Sequence, residues 1–273
     1  MEPLWLVNGQ TTGLDPADRG LAYGDGLFET MAAANGRIRW LDYHLQRLEH
    51  GCRRLSIPPL DSQEIRREII NHCPRDGRCV VKLIVTRGSG ARGYPPPVSA
   101  QPTRILSISS WPDYPSANYT DGIELRTLQL RLGENPALAG LKHLCRLEQV
   151  LAQLELRGSD AEEGLLLDSS GYVVGGIASN LFAIRGSELA TPKLTRCGVR
   201  GVMRRVVLES ATQLELAVAE RDLTIAAVQQ ADEIFVTNSL FGIWPVAQLD
   251  QHTFTRGDKT RQLMQLLGYG PDA

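Results

Sequence analysis

Lysine is scarce in this chain, and one lysine stands where an amine could act as a nucleophile. The 273 residues include four lysines: Lys82, Lys142, Lys193 and Lys259. Lys142 follows the apolar, glycine-containing stretch 138–141 and precedes a helical segment that looks buried. Because an apolar setting lowers the pKa of a lysine, such an amine can attack a carbonyl compound. Lys142 is therefore a candidate catalytic residue, although a solvated lysine at a helix start would show the same pattern.

A glycine-rich loop at residues 88–93 satisfies the GxGxxG pattern of dinucleotide-binding folds. That pattern has to open a helix, whose N-terminus meets the pyrophosphate. Prolines at 95–97 prevent a helix from starting there, so we reject this interpretation. We predict instead a mobile loop that presents Arg87, Arg92 and Tyr94 to a carboxylate substrate, a group that guanidinium binds well. An ordinary basic surface loop remains the alternative.

Two glycines, Gly198 and Gly201, precede a predicted helix that begins at Val202. The backbone N–H groups at a helix N-terminus, here those of Val202 and Met203, can hold a phosphate group. Many helices follow a glycine, so this pattern alone only suggests an anion site.

Hydrophobic periodicity and turn signals predict strands and helices in both halves of the chain. The predicted strands are 4–7, 28–34, 37–40, 80–85, 104–110, 123–130, 164–167, 172–174, 180–184, 214–219, 234–236 and 243–246. The predicted helices are 41–55, 62–72, 202–211, 224–230, 259–267 and one that Gly158 ends, with Leu144, Leu147, Leu151 and Leu154 on one face. Because strands and helices do not alternate strictly, we predict an α+β protein with two mixed domains. These are residues 1–112 and residues 122–273, which contain Lys142, joined by a linker at 113–121.

The composition argues against several classes of protein. Hydrophobic residues make up 42% and charged residues 22%, and the net charge is -2, which gives no electrostatic footprint for nucleic acid or an anionic membrane. No apolar run approaches the roughly 20 residues of a membrane span, and the first eight residues do not resemble a signal peptide. The five cysteines and five histidines show no metal or redox spacing. We therefore expect a cytoplasmic protein with no metal site and no nucleic-acid or membrane partner.

Three motifs taken together resemble those of the fold-type IV pyridoxal-phosphate enzymes. Residues 18–29 are similar to the N-terminal signature of that family, residues 44–48 match its HxxRL motif, and residues 179–182 match its SNxF strand. The family includes branched-chain aminotransferases, D-amino-acid aminotransferases and aminodeoxychorismate lyases. The resemblance implies that the two predicted domains are those of this family, with the active site at their interface.

Three further segments, residues 88–94, 139–150 and 237–246, resemble the lyase branch of the family. This resemblance implies conversion of 4-amino-4-deoxychorismate to 4-aminobenzoate and pyruvate, a step of folate biosynthesis, with pyridoxal 5′-phosphate as cofactor. It implies that Lys142 holds the cofactor as a Schiff base and then acts as general base. A D-amino-acid or branched-chain aminotransferase is the nearest alternative.

The resemblance also assigns binding roles to individual residues. The cofactor would be bound by Lys142, Arg47, Gly175, Asn180, Val202, Met203 and Ser239, with Arg47 and the backbone of Val202 and Met203 on its phosphate. The small-molecule substrate would be bound by Arg92, Tyr94, Tyr23 and Asn238. A homodimer is implied as well, in which loop residues can act across subunits.

One position departs from the family pattern. The family has V-x-E-G before the SNxF strand, with the glutamate paired to the pyridine nitrogen, whereas residues 173–176 here read Val-Val-Gly-Gly. A carboxylate at that nitrogen keeps it protonated and makes the ring an electron sink. Gly175 therefore predicts slower carbanion formation, and Glu163 or Asp168 could substitute only against the geometry of the strands. A cofactor-binding protein with impaired catalysis is a second alternative.

Overall fold

The chain forms two compact units. The structure is a computed structural model that describes residues 3–255 and 257–270. Unit 1 comprises Met1–Pro112 and Leu141–Cys145, and unit 2 comprises Asp113–Gly140 and Arg146–Ala273. Among the described residues, no helix is both long and apolar enough to cross a bilayer.

Unit 1 is an antiparallel sheet with helices. Its five strands pair in the order β1-β5-β4-β2-β3: β1 Leu4–Val7, β2 Gly26–Ala34, β3 Arg37–Ile38, β4 Arg78–Thr86 and β5 Thr103–Ser110. Its helices are α1 Arg19–Tyr23, α2 Leu41–Arg54 and α3 Ser62–His72. Helix α2 buries Leu41, His44, Leu45, Leu48 and Cys52, which recur at the three- and four-residue spacing of one helical face. This stripe packs α2 against β2 and fixes the side chains that α2 directs toward that strand.

Unit 2 is built on a mixed sheet of nine strands. Eight strands pair in the order β11-β10-β9-β12-β13-β6-β7-β8, and β14 pairs with β13. The strands are β6 Ile123–Leu132, β7 Glu163–Asp168, β8 Val173–Gly176, β9 Asn180–Arg185, β10 Glu188–Pro192, β11 Ala217–Arg221, β12 Glu233–Asn238, β13 Gly242–Leu249 and β14 His252–Thr253. The helices are α4 Ala117–Thr120, α5 Leu147–Leu156, α6 Val202–Ser210, α7 Ile225–Gln229 and α8 Asp258–Leu267. Phe182 and Phe235 stack at the centre of the sheet, with ring centroids 5.0 Å apart.

These elements confirm the predicted α+β class, with differences in detail. Strand β10 was not predicted, because its last two residues, Thr191-Pro192, resemble a turn; Pro192 is tolerated as the final residue of the strand. The strand predicted at 214–219 starts later, at Ala217, because residues 211–214 form a 3₁₀ turn and Glu215 is left-handed with φ 56°.

The segment that carries Lys142 lies in unit 1, whereas the prediction placed it in the C-terminal domain. Its backbone extends the pairing of β2: Phe28 N donates to Lys142 O at 3.0 Å, and Leu144 N donates to Gly26 O at 3.0 Å. Residues 113–121, predicted to be a linker, lie in unit 2 and contain α4. Sequence proximity to α5 therefore misassigned this lysine.

The predicted burial of the leucine face after Lys142 is wrong. Leu147, Leu151 and Leu154 on α5 are about half exposed or more, and Val150 beside them is 53% exposed. The buried side of α5 is instead formed by Ala152 and Leu156, which join a small core cluster. A helix with apolar residues on both sides does not reveal from periodicity which side faces the core.

Candidate active site

Lys142 is half-buried against an aromatic ring. Its Nζ lies 4.2 Å from the centroid of Phe28, and the backbone of both residues is joined by the hydrogen bond described above. Lys82 lies near the same ring, with its Nζ at 5.3 Å. An ammonium group over an aromatic face is attracted by the ring quadrupole, so Phe28 holds the Lys142 amine in a defined place. The Phe28 ring therefore fixes the position of the Lys142 Nζ.

Beside this amine, a carboxylate is buried with two basic partners. Glu29, 2% exposed, follows Phe28 on β2, and accepts from Arg47 Nε at 2.8 Å and from His44 Nδ1 at 2.6 Å. Burial alone raises the pKa of Glu29, but the charge and hydrogen bonds of Arg47 and His44 outweigh it and lower the pKa to about 2. Glu29 is thus a carboxylate at neutral pH.

His44 completes this cluster as the second partner of Glu29. Burial lowers its pKa more than the Glu29 carboxylate raises it, and the charges of Arg47 and Lys142 lower it further. Nδ1 donates to Glu29, and the other ring nitrogen, Nε2, is buried and has no hydrogen-bond partner in the part of the chain that the structure describes. Sequence reasoning identified Arg47 but missed its partner Glu29 and the second partner of that carboxylate, His44. Glu29 lies in the motif at 18–29, and His44 lies in the motif at 44–48.

A buried arginine forms hydrogen bonds with backbone carbonyls of the glycine-rich loop. Arg19, 4% exposed, donates to Gly93 O at 3.0 Å and to Tyr94 O at 2.8 Å. Its Nε pairs with Asp25 at 2.9 Å. Burial raises the pKa of Asp25, but the hydrogen bonds and charges of Arg87 and Arg19 lower it by more.

The structure corrects the role predicted for Arg87. This residue is 8% exposed and donates to both oxygens of Asp25 and to the carbonyls of Leu55 and Ser56, so it is not presented to a substrate. Arg92 and Tyr94 are exposed, Tyr94 at 83%. Tyr23 lies 5.5 Å from the Tyr94 ring and accepts at its hydroxyl from Gly93 N. Three of the predicted substrate residues therefore belong to one surface region.

In unit 2, Asn180 holds the turn that opens α6. Its Nδ2 donates to Val199 O at 2.8 Å, and its Oδ1 accepts from Gly201 N at 3.1 Å. A side chain at Gly201 would collide with Asn180 Oδ1, so a glycine is required for this close approach. No side chain caps α6, which leaves the first N–H groups of the helix, at Val202 and Met203, directed out of the helix end. Asn180 thus fixes the turn at which the anion site was predicted.

A second polar turn follows β12. Asn238 Oδ1 accepts from Leu240 N and Phe241 N, both at 2.9 Å, so this oxygen is used within the turn, next to half-buried Ser239. Thr237 precedes the turn; it is 1% exposed, and its hydroxyl finds no hydrogen-bond partner among the described residues. Thr237 pairs with Asn180 across the strands, and paired residues direct their side chains to the same face. Sequence reasoning missed this hydroxyl.

Gly175 has a backbone conformation that excludes the family glutamate. Its φ is +155°, and a Cβ would lie 2.8 Å from the carbonyl oxygen of Ser179. Both predicted substitutes have hydrogen-bond partners within the protein. Glu163 accepts from Ile177 N, Ala178 N and Ser179 Oγ at 3.0 to 3.2 Å, and Asp168 accepts from Arg196 at 2.7 Å. Burial of Glu163 raises its pKa in spite of these donors.

Each unit contains groups that suit one part of a phosphorylated aldehyde. Within unit 1, the amine of Lys142 has the chemistry to react with an aldehyde. Within unit 2, the uncapped start of α6 and the Thr237 hydroxyl have the chemistry to bind a phosphate. At position 175 there is no carboxylate for a ring nitrogen. Among the described residues, no group of three or more His, Cys, Asp or Glu side chains could hold a metal ion.

Comparison with known proteins gives consistent matches over nearly the whole chain. The sequence profile of the family described as amino-transferase class IV matches residues 26–249. An aminodeoxychorismate lyase of Vibrio harveyi is 33% identical and covers 95% of this chain and 98% of its own. A putative branched-chain-amino-acid aminotransferase of Methanocaldococcus jannaschii is 32% identical, over 91% and 88%. The crystal structure of 4-amino-4-deoxychorismate lyase from Pseudomonas aeruginosa is 50% identical and covers 97% of this chain and 98% of its own, with a TM-score of 0.92.

Replacing Glu29 by glutamine should destabilise the protein in a pH-dependent way. The pKa of this carboxyl is about 2 in the folded protein against an ordinary 4.5, so its charge contributes stability above pH 4.5 that is lost as the pH falls toward 2. We expect Glu29→Gln to lower the free energy of unfolding by about 3 kcal/mol at pH 7 and by far less near pH 2. Urea unfolding at several pH values measures this difference.

Glu64→Gln is the matched control, because the pair of Glu64 with Arg104 is solvent-exposed and should contribute less than about 1 kcal/mol. If Glu29→Gln lowers the free energy of unfolding equally from pH 7 to pH 2, the charge of Glu29 is not the cause of the destabilisation.

Proposed function

We propose that this chain, which belongs to the class IV aminotransferase family, is a lyase that converts 4-amino-4-deoxychorismate to 4-aminobenzoate and pyruvate. The observation that supports it most is the 50% identity to the Pseudomonas aeruginosa lyase over 97% of the chain. The proposal includes pyridoxal 5′-phosphate as cofactor, a cytoplasmic location and a role in folate biosynthesis. The small net charge gives no reason to expect nucleic acid or a membrane surface as a partner.

Lys142 is the residue that would carry and move the proton. When bound, pyridoxal phosphate supplies an electrophilic aldehyde and an electron-withdrawing ring. Lys142 takes the proton from C4 of the substrate and returns it to the enolpyruvyl oxygen on C3. The C3–O bond breaks, pyruvate leaves, and the remaining ring becomes aromatic. Phe28 keeps the amine in place during both transfers.

The remaining predicted residues would bind and orient the cofactor and the substrate. The phosphate would be held by Arg47, by the backbone of Val202 and Met203 at the start of α6, and by Ser239. We include the Thr237 hydroxyl in this proposal, because it is buried without a partner among the described residues. Asn180 shapes that site through Gly201. Arg92, Tyr94 and Tyr23 would bind the substrate carboxylates, together with Asn238 through its remaining amide hydrogens.

Borohydride reduction of the protein loaded with pyridoxal phosphate should label Lys142. Reduction makes the linkage between cofactor and lysine permanent, and peptide mapping identifies the lysine. Lys142→Ala should lower lyase turnover by at least about 10²-fold, since the same amine attaches the cofactor and transfers the proton. Lys82→Ala is the control, because Lys82 lies near the same Phe28 ring. A label on another lysine, or full turnover by Lys142→Ala, contradicts the proposal.

The protein loaded with pyridoxal phosphate also distinguishes two alternative functions. The 32% identity to the Methanocaldococcus jannaschii protein favours an aminotransferase as second candidate. Conversion of the bound cofactor to its amine form by D-alanine or a branched-chain amino acid, without turnover of aminodeoxychorismate, would establish that reaction. Protein that binds the cofactor and acts on neither substrate would be the impaired form that Gly175 suggests.

Gly175→Glu should not raise lyase turnover. Aromatisation supplies a large driving force, so the elimination tolerates a ring that is a weaker electron sink. The new side chain also has to displace the Ser179 carbonyl, which should lower the melting temperature. Gly175→Ala is the control, because it adds the Cβ without the carboxylate. A kcat of Gly175→Glu far above that of Gly175→Ala would show that the missing carboxylate limits the reaction.

A homodimer is part of this proposal, and the outer face of α5 supports it. Leu147, Val150, Leu151 and Leu154 are 70%, 53%, 47% and 50% exposed. The acidic residues of α5 turn inward: Glu148 accepts from Gly133 N, and Glu155 from Gln129 N and Leu130 N. A contiguous apolar face of this kind is typical of an interface in a soluble protein.

Leu147→Lys combined with Leu154→Lys should convert the dimer into monomers, because two charges would have to be buried in the interface. Sedimentation velocity measures the change in mass. Ile70→Lys, on exposed α3 of unit 1, is the control and should leave the dimer intact. An unchanged dimer in the double variant would place the interface elsewhere.

A further inference from the structure

Tyr269, just after α8, joins the C-terminal helix to α6. The residue is 8% exposed, and its hydroxyl donates to Met203 Sδ at 3.1 Å within a buried environment. Met203 is the second residue of α6 and 1% exposed. A methionine has three rotatable bonds and adapts to its surroundings, so this hydrogen bond selects one position for the side chain at the helix start.

The ring of Tyr269 also packs on Gly242, the first residue of β13. Gly242 has φ +76°, and a Cβ at this position would overlap the tyrosine ring. Gly242 ends the turn in which Asn238 accepts from Leu240 and Phe241. One side chain therefore contacts both polar turns of unit 2, the one that starts α6 and the one that follows β12.

Helix α8 is anchored at its other end as well. Glu233, the first residue of β12, accepts from Lys259 N at 3.2 Å, from Thr260 N at 2.8 Å and from Thr260 Oγ1 at 2.6 Å. The helix is thus fixed at the start of β12 by Glu233 and, through Tyr269, at the turn beyond its end. This leaves the hydroxyl of Tyr269 little freedom to move away from Met203.

Tyr269 does more than fill space. It lines a cavity of about 470 Å³ together with Tyr119, Pro245 and Met264, so its ring is not enclosed on every side. A residue that only fills a core has close contacts all round. Here the specific contacts are the hydrogen bond to Met203 and the fit on Gly242.

We propose that Tyr269 is a positioning residue for phosphate binding: it sets the start of α6 and the Asn238–Gly242 turn in the arrangement that holds the cofactor phosphate. The inference rests on the proposed function, which assigns a phosphate to these turns. Backbone N–H groups bind an anion well only when they converge on it, so loss of one fixed contact weakens binding of the phosphate. Attachment of the aldehyde to Lys142 does not depend on this contact.

Comparison of pyridoxal phosphate with pyridoxal, which has no phosphate, separates phosphate binding from attachment of the aldehyde. We expect Tyr269→Phe to weaken binding of pyridoxal phosphate to the apoprotein by about 3- to 10-fold, the value of one hydrogen bond. Binding of pyridoxal should change by less than about twofold. Both affinities are measured by absorbance titration of the bound aldehyde. Tyr119→Phe, which alters another tyrosine of the same cavity, should leave both affinities unchanged.

Met203→Leu removes the acceptor of the same hydrogen bond with little change in volume. It should have the same selective effect, and the double variant should bind pyridoxal phosphate about as well as either single variant, because both lose one contact. These variants also answer the case in which Tyr269→Phe folds poorly.

Three results would overturn the inference alone: unchanged affinity for pyridoxal phosphate, equal weakening for both compounds, or additive losses in the double variant. A parent protein that binds neither compound would overturn the proposed function and, with it, the phosphate role of Tyr269. Inorganic phosphate that competes with pyridoxal phosphate less well for Tyr269→Phe than for the parent would add direct support.

Discussion

The buried charge of Glu29 is the constraint on which the site in unit 1 depends. A carboxylate that is 2% exposed persists only with partners that compensate its charge. Both partners come from one helix, three residues apart, so α2 has only one rotation in which His44 and Arg47 reach Glu29 together. The neighbouring residue on β2, Phe28, holds Lys142 through its backbone and its ring. Strand β2 therefore positions both the amine of Lys142 and the guanidinium of Arg47.

Much of this arrangement could be predicted from the sequence, and the failures have specific causes. The HxxRL spacing identified α2 and Arg47, and the apolar stretch before Lys142 identified the amine, because both signals are local. The partner of Arg47 is 18 residues away, and pairing across that distance is set by tertiary packing. The same holds for Thr237, whose neighbour Asn180 is distant in the chain. Arg87 shows the opposite failure. Its positive charge suggested that it binds a substrate, but it forms hydrogen bonds with Asp25 and two backbone carbonyls of the protein.

Gly175 lies in a backbone conformation where a side chain would meet the Ser179 carbonyl. The neighbouring strand places Glu163 under the 177–179 turn, where its oxygens meet three donors of that turn. The five buried carboxylates among the described residues all accept hydrogen bonds from protein groups: Asp18, Glu29, Glu163, Asp168 and Glu233. Each of them is therefore part of a hydrogen-bond arrangement within the protein.

Arg19 shows how a loop can keep its path while its side chains change. The guanidinium of Arg19 contacts the carbonyl oxygens of Gly93 and Tyr94, and every amino acid has such an oxygen. The shape of the loop is therefore encoded in a buried residue some seventy positions upstream (74 to Gly93 and 75 to Tyr94). Exposed positions such as Arg92 and Tyr94 can be exchanged without rebuilding the turn. A family that acts on different amines could diversify in specificity through such positions and preserve the scaffold beneath them.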